Sequence, residues 1–412
     1  MRGLESEIQA RLDVRLKPTG PIPIAVGLSG GSDSLALSLI AADWARAHGR
    51  PLLILTVDHR LRPESTAWTA TCAEHAARMG ARFQALAWTA DKPATGLPAA
   101  AREARHALLA NAARAAGAAV ILLGHTADDL AESAAMRREG ASVPDAQEWA
   151  PSPAWPEGRG LFLLRPMLGI ARAELRAWLT GRGETWIEDP ANADLRYARA
   201  RARARAADPT VEPASRRSIP HSLAQGVTAE IGGGLILDRD AFRAADPAEA
   251  RALAGIAALC AAGTRRPPRG DRLDRLTEAL RAEAAVVATL AGARIEADAR
   301  TITWRREVGE LRRARLGHMS LQAGNTDVWD GRFEVRTDRD ITITALSGQA
   351  RRLGPEAARA LARLPAGGRG SLPVVAGVPI TCPALAPVDG VMVRSLSLER
   401  LGGACGLVAR EP

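Results

Sequence analysis

Lysine is almost absent from this chain. Of its 55 cationic residues only Lys17 and Lys92 are lysine, and the remainder are arginine. Paired cysteines are missing as well: Cys72, Cys260, Cys382 and Cys405 stand far apart with no CxxC spacing. That argues against a zinc ribbon, an iron–sulfur site or a disulfide scaffold. No histidine spacing points to a metal site. No apolar run reaches the length of a membrane span, and the N-terminus shows neither a long apolar run nor a cleavage-like site. A reducing, cytoplasmic setting with no membrane contact is therefore expected. No internal repeat or obligate protein partner is evident.

What is present is ordinary for a globular protein: 47% hydrophobic and 25% charged residues, which excludes global disorder. The length of 412 residues allows two or three domains, each able to bury a core. The formal charge of +9 is carried by arginine. Two readings of that bias stand. A GC-rich genome writes Ala, Arg and Gly; alternatively, arginine is kept for phosphate contacts. Composition does not choose between them.

Along the chain, residues 1–20 read as a short amphipathic helix. Buried-strand runs then alternate with helical periodicity. Strands are expected at 22–28, 52–57, 82–88, 119–123 and 161–164, and helices at 32–47, 64–79, 98–116, 127–138 and 172–180. Such alternation predicts parallel βαβ units in one doubly wound sheet. Residues 140–160, with four prolines, Trp149 and Trp155, break the rhythm and read as a long loop, either functional or disordered, with pinning by the two tryptophans as the alternative to complete disorder. The first domain is expected to span 1–208. A Pro- and Ser-rich linker near 209–222 opens a mainly helical domain, 209–320, with β character only at 234–237 and 294–305. A small, mostly β domain with one helix near 354–364 follows, 321–412.

The densest chemistry lies in Ser29-Gly30-Gly31-Ser32-Asp33-Ser34, between the first strand and its helix. Glycines permit tight turns and close approach of an anion. Free amides at a helix start, with the positive end of its dipole, suit phosphate. No Gly-Lys-Ser/Thr follows, so this is not a Walker A loop. The spaced dinucleotide fingerprint is absent too. Segments after strands one, two, four and five emerge at the carboxyl edge of a parallel sheet, where ligands of open sheets bind. Ser29–Ser34, Asp58-His59, His125–Glu132 and Arg165 are thus expected to converge. Asp129 and Glu132, three apart, share a helix face; capping of that helix start by its acids is the alternative reading. Arg196, Arg199 and Arg203 share another face, whose density suits RNA phosphates or a merely solvated surface.

SGGSDS is the signature of the PP-loop ATP pyrophosphatases, which this chain resembles. Five further segments narrow the likeness: Asp58–Ser65, Ala101–His106, Gly124–Ser133, Arg165–Leu168 and Trp186–Asp194. Together they resemble the tRNA(Ile)-lysidine synthase family, over about residues 22–205. That resemblance implies an adenine nucleotide alpha-hydrolase-like fold and a ligase that cleaves ATP between the α and β phosphates. It implies ATP and Mg²⁺, free L-lysine, and an isoleucine tRNA with a CAU anticodon whose wobble cytidine is modified. It places ATP on Ser29, Gly30, Gly31, Ser32, Asp33, Ser34, Asp58 and His125. Lysine falls to Asp128, Asp129 and Glu132, catalysis to Asp33, Arg105, Asp129 and Glu132, and tRNA contact to Arg165, Arg196, Arg199 and Arg203. Metal ligands are not assigned.

The chain departs from the family pattern at four places. His106 stands where Tyr is usual and Ser133 where Thr is usual. Residues 139–150 are poorer in glycine, and Arg-Ala repeats replace an Arg-Asn pair. Two rivals fit parts of the pattern. Another PP-loop enzyme is one, although thiolating relatives often need the paired cysteines missing here. A non-catalytic RNA-binding relative is the other, against which the intact SGGSDS and its acids argue.

Overall fold

The computed structural model describes residues 2–141, 143, 146–190, 201–202, 219–313, 318–377 and 379–412. Chain contacts divide it into two units, 1–216 with 408–412, and 217–407. The first unit realises the expected alternation. After α1 (Arg2–Arg15) come β1 (Ile24–Gly27), α2 (Ser32–Ala47), β2 (Leu52–Asp58), α3 (Ser65–Arg78) and β3 (Arg82–Ala87). Then follow α4 (Leu97–Ala115), β4 (Val120–Leu123), α5 (Ala127–Arg138), β5 (Trp149–Pro151), β6 (Phe162–Leu164) and α6 (Arg172–Gly181). The sheet order is β3-β2-β1-β4-β6-β5. All pairings are parallel except β5 with β6. The order reverses between β1 and β4, so the crevice outside their carboxyl ends is the topological switch point.

Both sheet faces are covered, which explains the unbroken apolar runs of the central strands. Successive residues point to opposite faces. Ile24, Val26, Leu52, Ile54, Val120 and Leu122 pack in one core with α1, α2, α3 and α6. Ala25, Leu53, Leu55, Ile121 and Leu123 pack in a second core with Leu109, Ala110 and Ala113 of α4. α2 is buried on most sides, from Leu35 through Ile40 to Trp44, because it lies in the layer shared with α1 and α6. Truncating such a residue, Leu37→Ala for example, would cost about 2–5 kcal/mol.

The irregular stretch before β6 carries a strand that sequence periodicity did not reveal. β5 is three residues long, too short for alternation to register. Trp149 fixes it: its ring stacks on Phe162 at 4.9 Å, and its Nε1 donates to the Val408 carbonyl at 2.7 Å. Trp155 is buried. Val408 belongs to a tail that returns to the first unit. The Arg50 and Glu411 side chains there are each 1% exposed, and Arg50 Nη2 meets Glu411 Oε1 at 2.8 Å. Arg50 also donates to the Ile22 carbonyl. Glu411 Oε2 accepts from the Lys17 amide at 2.7 Å.

The second unit contains more strand than its sequence patterning shows. Residues 228–306 hold a five-stranded antiparallel sheet, with helices Pro247–Ala262 and Gly270–Ala282 packed into the same core. Two three-stranded sheets and the helix Pro355–Ala362 follow around another core. Buried arginines brace this unit. Arg239 is fully buried and donates to the carbonyls of Leu280 at 3.0 Å and Ala284 at 2.7 Å. Asp330 bridges Arg306 and Arg332, both buried. Among the described residues, no helix is long and apolar enough to cross a membrane.

Removing one partner from a buried ion pair leaves a charge without compensation. Glu411→Ala is therefore expected to lower the unfolding free energy by about 3–5 kcal/mol. Urea denaturation tests this, and the double replacement of Arg50 and Glu411 by methionine should cost distinctly less. Equal losses from the two variants would mean that the pair is not what holds the tail.

Candidate active site

The site begins where β1 ends. Gly31 is the N-cap of α2 and offers no side chain to its first turn, so the leading amides of the helix are left for an external acceptor. The loop is organised internally. Ser34 Oγ accepts from the Ser29 amide at 3.1 Å, lies 3.0 Å from Ser29 Oγ and donates to the Gly31 carbonyl at 3.0 Å. Ser32 Oγ donates to Asp33 Oδ1 at 2.9 Å. Gly30 has φ +83°, and a Cβ there would stand 2.3 Å from Ile187 Cδ1. The Ile187 amide donates to the Gly30 carbonyl at 2.9 Å, so the segment after Trp186 lies against the loop. Across the switch point, a Cβ on Gly124 would come within 2.9 Å of Asp33 O and Ser34 N. Glycine at that position lets the end of β4 abut the first turn of α2.

The carboxylates predicted from sequence come together, and the cation that unites them was not predicted. Arg172, the first residue of α6, pairs with Asp33 at 2.8 Å, Glu132 at 3.3 Å, Asp129 at 3.4 Å and Asp128 at 3.9 Å. Burial opposes its charge. The hydrogen bond and attraction of Asp33, with Asp129 and Glu132, more than offset this and raise the guanidinium pKa above its usual value. The capping that the sequence left open is also present. Asp129 Oδ2 accepts from the Thr126 amide at 2.8 Å, and Asp128 Oδ2 accepts from the Arg172 amide at 2.7 Å. Each aspartate thus keeps its other oxygen, Oδ1, towards the guanidinium. One signal for Arg172 was available. A cation in the first turn of a helix opposes the macrodipole and calls for nearby acids. Arg176 adds a second unpredicted contact, Nε to Ser32 Oγ at 3.4 Å, and pairs with Glu188 at 2.9 Å.

On the other side of β4 the charge changes sign. Arg105 is half-buried, Arg102 exposed, and His106 is 4% exposed. Burial, then Arg105, Arg102, Arg165 and His125, pushes the His106 pKa down to about 2. Arg165 is 5% exposed; its Nε donates to His125 Nδ1 at 3.2 Å and its Nη1 to the Gln147 carbonyl at 2.8 Å. Since Nδ1 accepts, a neutral His125 carries its proton on Nε2. Burial, with Arg102 and Arg105, lowers the Arg165 pKa to about 10. Arg165 therefore lies beneath the site as a support for His125. Asp58 closes the turn after β2 by accepting from the Arg60 amide at 2.7 Å. Beside it, burial and Arg105 lower the His59 pKa. Arg196, Arg199 and Arg203 lie outside the described residues, as does most of the linker.

Among the described residues, no three or more His, Cys, Asp or Glu side chains form a group able to hold a metal ion. All four cysteines are buried. Burial raises each thiol pKa, to about 11 for Cys260 and about 12 for Cys382 and Cys405.

An amide-rich loop at the switch point of a doubly wound sheet, with acids on one side and arginines on the other, defines a nucleotide-binding PP-loop domain. The PP-loop domain family profile matches residues 4–208. Over 98% of this chain and 98% of its own length, the tRNA(Ile)-lysidine synthase of Caulobacter vibrioides is 49% identical to it. That of Hyphomonas neptunium is 38% identical over 70% of this chain and 83% of its own, and that of Rhizobium meliloti 35% identical over 81% and 77%. The chain belongs to the tRNA(Ile)-lysidine synthase family, and so to the ATP-using ligases that form carbon–nitrogen bonds.

Two tests follow from this geometry. Gly30→Ala places a side chain in left-handed backbone against Ile187. Strain of about 1–3 kcal/mol should weaken ATP binding by about tenfold or more. Gly31→Ala, whose Cβ would meet only Ser29 Oγ, at 3.7 Å, among the described residues, is the mild control in an equilibrium binding assay. The second test concerns His106. Its pKa is depressed on folding, so between about pH 6.5 and 2 the unfolded chain binds the extra proton. Stability must then fall as pH drops through that window, by up to about 1.4 kcal/mol per pH unit from this group. His106→Tyr should flatten the acid side of a Tm-against-pH curve; an unchanged curve would show that His106 is not buried in neutral form.

Proposed function

We propose that this protein joins free L-lysine to C2 of the wobble cytidine in the CAU anticodon of an isoleucine tRNA. The observation that carries this reading is the adjacency of an open phosphate loop to an acidic group centred on Asp129 and Glu132. A phosphate loop alone suits any adenylating enzyme. Carboxylates beside it suit a nucleophile that arrives as a cation.

In the proposed sequence, the amides of Gly30–Asp33 and the hydroxyls of Ser29, Ser32 and Ser34 hold the polyphosphate of ATP. Asp58 and His125 line the nucleotide side. The cytidine O2 attacks the α-phosphorus, pyrophosphate leaves, and an adenylated base results. The lysine amine then attacks C2, the C–O bond breaks and AMP departs, forming lysidine. Asp128, Asp129 and Glu132 bind lysine, and the amine's proton passes to one of these carboxylates. Arg105 balances charge on the separating phosphates. Most of the protein's work here is positioning and electrostatic stabilisation. Mg²⁺, when bound with ATP, supplies charge neutralisation at the phosphates, with Asp33 as its carboxylate.

For tRNA, Arg165 contributes from beneath through His125, and Arg196, Arg199 and Arg203 contact RNA phosphates. Residues 209–320 and 321–412 are proposed as domains that grip the tRNA body. Arg265, Arg266, Arg269, Arg272 and Arg275, all exposed, support such a surface. Sulfur transfer is less well supported, because burial holds the four thiols protonated near neutral pH.

The deciding experiment is ATP-dependent incorporation of labelled lysine into an isoleucine tRNA with a CAU anticodon, with elongator methionine tRNA as control. Incorporation into the isoleucine tRNA alone is expected, and Asp33→Ala should abolish pyrophosphate release while leaving tRNA binding nearly intact. Pyrophosphate release without lysine incorporation would redirect the reading to another nucleophile.

A further inference from the structure

Arg176 stands one helical turn beyond Arg172 and addresses the neighbouring residue of the phosphate loop. Residues four apart share a helix face. Arg172 pairs with Asp33 at 2.8 Å, while Arg176 Nε donates to Ser32 Oγ at 3.4 Å. The Ser32 hydroxyl gives its own proton to Asp33 Oδ1 at 2.9 Å, so it meets Arg176 as an acceptor. The two guanidinia are held differently. Arg172 is 13% exposed. Arg176 is 43% exposed, and Glu188, which pairs with it at 2.9 Å, is 59% exposed. Ion pairs so open to water are weak and readily exchanged. A bracket keeps this one beside the loop. The Arg176 guanidinium lies over the Trp186 ring, 5.7 Å from its centroid. Trp186 Nε1 donates to Glu188 Oε1 at 2.8 Å, and the Ile187 amide between them bonds to the Gly30 carbonyl at 2.9 Å.

We propose that Arg176 is a phosphate-binding residue, which exchanges Glu188 for oxygens of the pyrophosphate half of ATP. This inference rests on the reading of Ser29–Ser34 as the loop that holds the polyphosphate. A phosphate oxygen that reaches the Ser32 hydroxyl comes within range of a guanidinium bonded to that same hydroxyl. Phosphate offers the guanidinium fork paired oxygens, as a carboxylate does, and carries more charge. The leading amides of α2 hold that phosphate in place, whereas Glu188 is an exposed side chain free to turn into water. As the bond between the α and β phosphates breaks, negative charge gathers on the pyrophosphate. A cation there stabilises the transition state more than the ground state.

Calorimetric titration of the full-length protein tests this with three probes: magnesium pyrophosphate, AMP, and a magnesium-loaded ATP analogue that cannot be cleaved between its α and β phosphates. Arg176→Met should weaken pyrophosphate and the analogue by about tenfold or more, the worth of a charged hydrogen bond, and leave AMP nearly unchanged. Arg176→Lys keeps the charge without the fork and should fall between; it decides the matter if the methionine variant fails to fold by Tm. Glu188→Gln keeps an oxygen for Trp186 and removes the competing charge, so it should bind the analogue at least as tightly as wild type. A pair that merely braces the loop predicts the opposite, and weaker binding by Glu188→Gln overturns the proposal. Pyrophosphate binding that survives Arg176→Met overturns it too, as does an equal loss for AMP. Lost tRNA affinity with pyrophosphate binding intact would assign Arg176 to RNA instead. If wild-type protein binds neither pyrophosphate nor the analogue more tightly than AMP, the loop reading fails first.

Discussion

A single guanidinium holds the starts of three helices together. Arg172 begins α6, Asp33 lies in the first turn of α2, and Asp128 and Asp129 lie in the first turn of α5. Each helix presents the positive end of its dipole to the same crevice. Without acids these ends would repel one another and any added cation. The carboxylates turn that repulsion into binding, and Arg172 prevents the carboxylates from repelling each other in turn. The phosphate loop depends on this balance because Asp33 is both its own residue and the nearest partner of Arg172.

The arginine surplus has an explanation beyond the two that composition offered. Arg50, Arg165, Arg239, Arg305, Arg306 and Arg332 are all buried. Arg239 satisfies carbonyls from two separate segments, at Leu280 and Ala284 and at Asp298, and Arg305 pairs with both Glu230 and Glu296. A guanidinium presents five donors in a fixed fork and stays charged when buried, whereas a lysine ammonium is a compact, strongly hydrated point charge. A chain with two lysines can therefore still brace its interior with cations. Surface arginines such as Arg265 and Arg269 are a separate, exposed population.

The first unit was legible because its physics is local. Central strands buried on both faces read as apolar runs, and helices between them keep a 3.6-residue period, so β1 to β4 and α2 to α5 fall within a few residues of expectation. Gly30 announces close approach by type alone, whereas the contact of Gly124 with α2 emerges only from the structure. β5 was hidden by its three residues, and the strands at 228–229 and 286–290 by brevity or by exposed positions such as Val287. In the site, Asp33, Asp129 and Glu132 were visible as motif members. Arg172 was not, because its partners are 40 to 139 residues away in sequence. Arg165 was visible as a cation, but only burial shows that it faces His125.

The return of residues 408–412 to the first unit has a consequence in time. In sequence, residues 217–407 stand between the two segments of the first unit. During synthesis the Rossmann-like sheet can assemble early, yet Arg50 must wait for Glu411, which emerges after both units have otherwise been made. Until then a buried cation lacks its carboxylate and the unit sits below its final stability. A chain cut short within residues 217–407 would carry the Ser29–Ser34 loop without the carboxylate that pairs with Arg50. Proteases act preferentially on states loosened in this way.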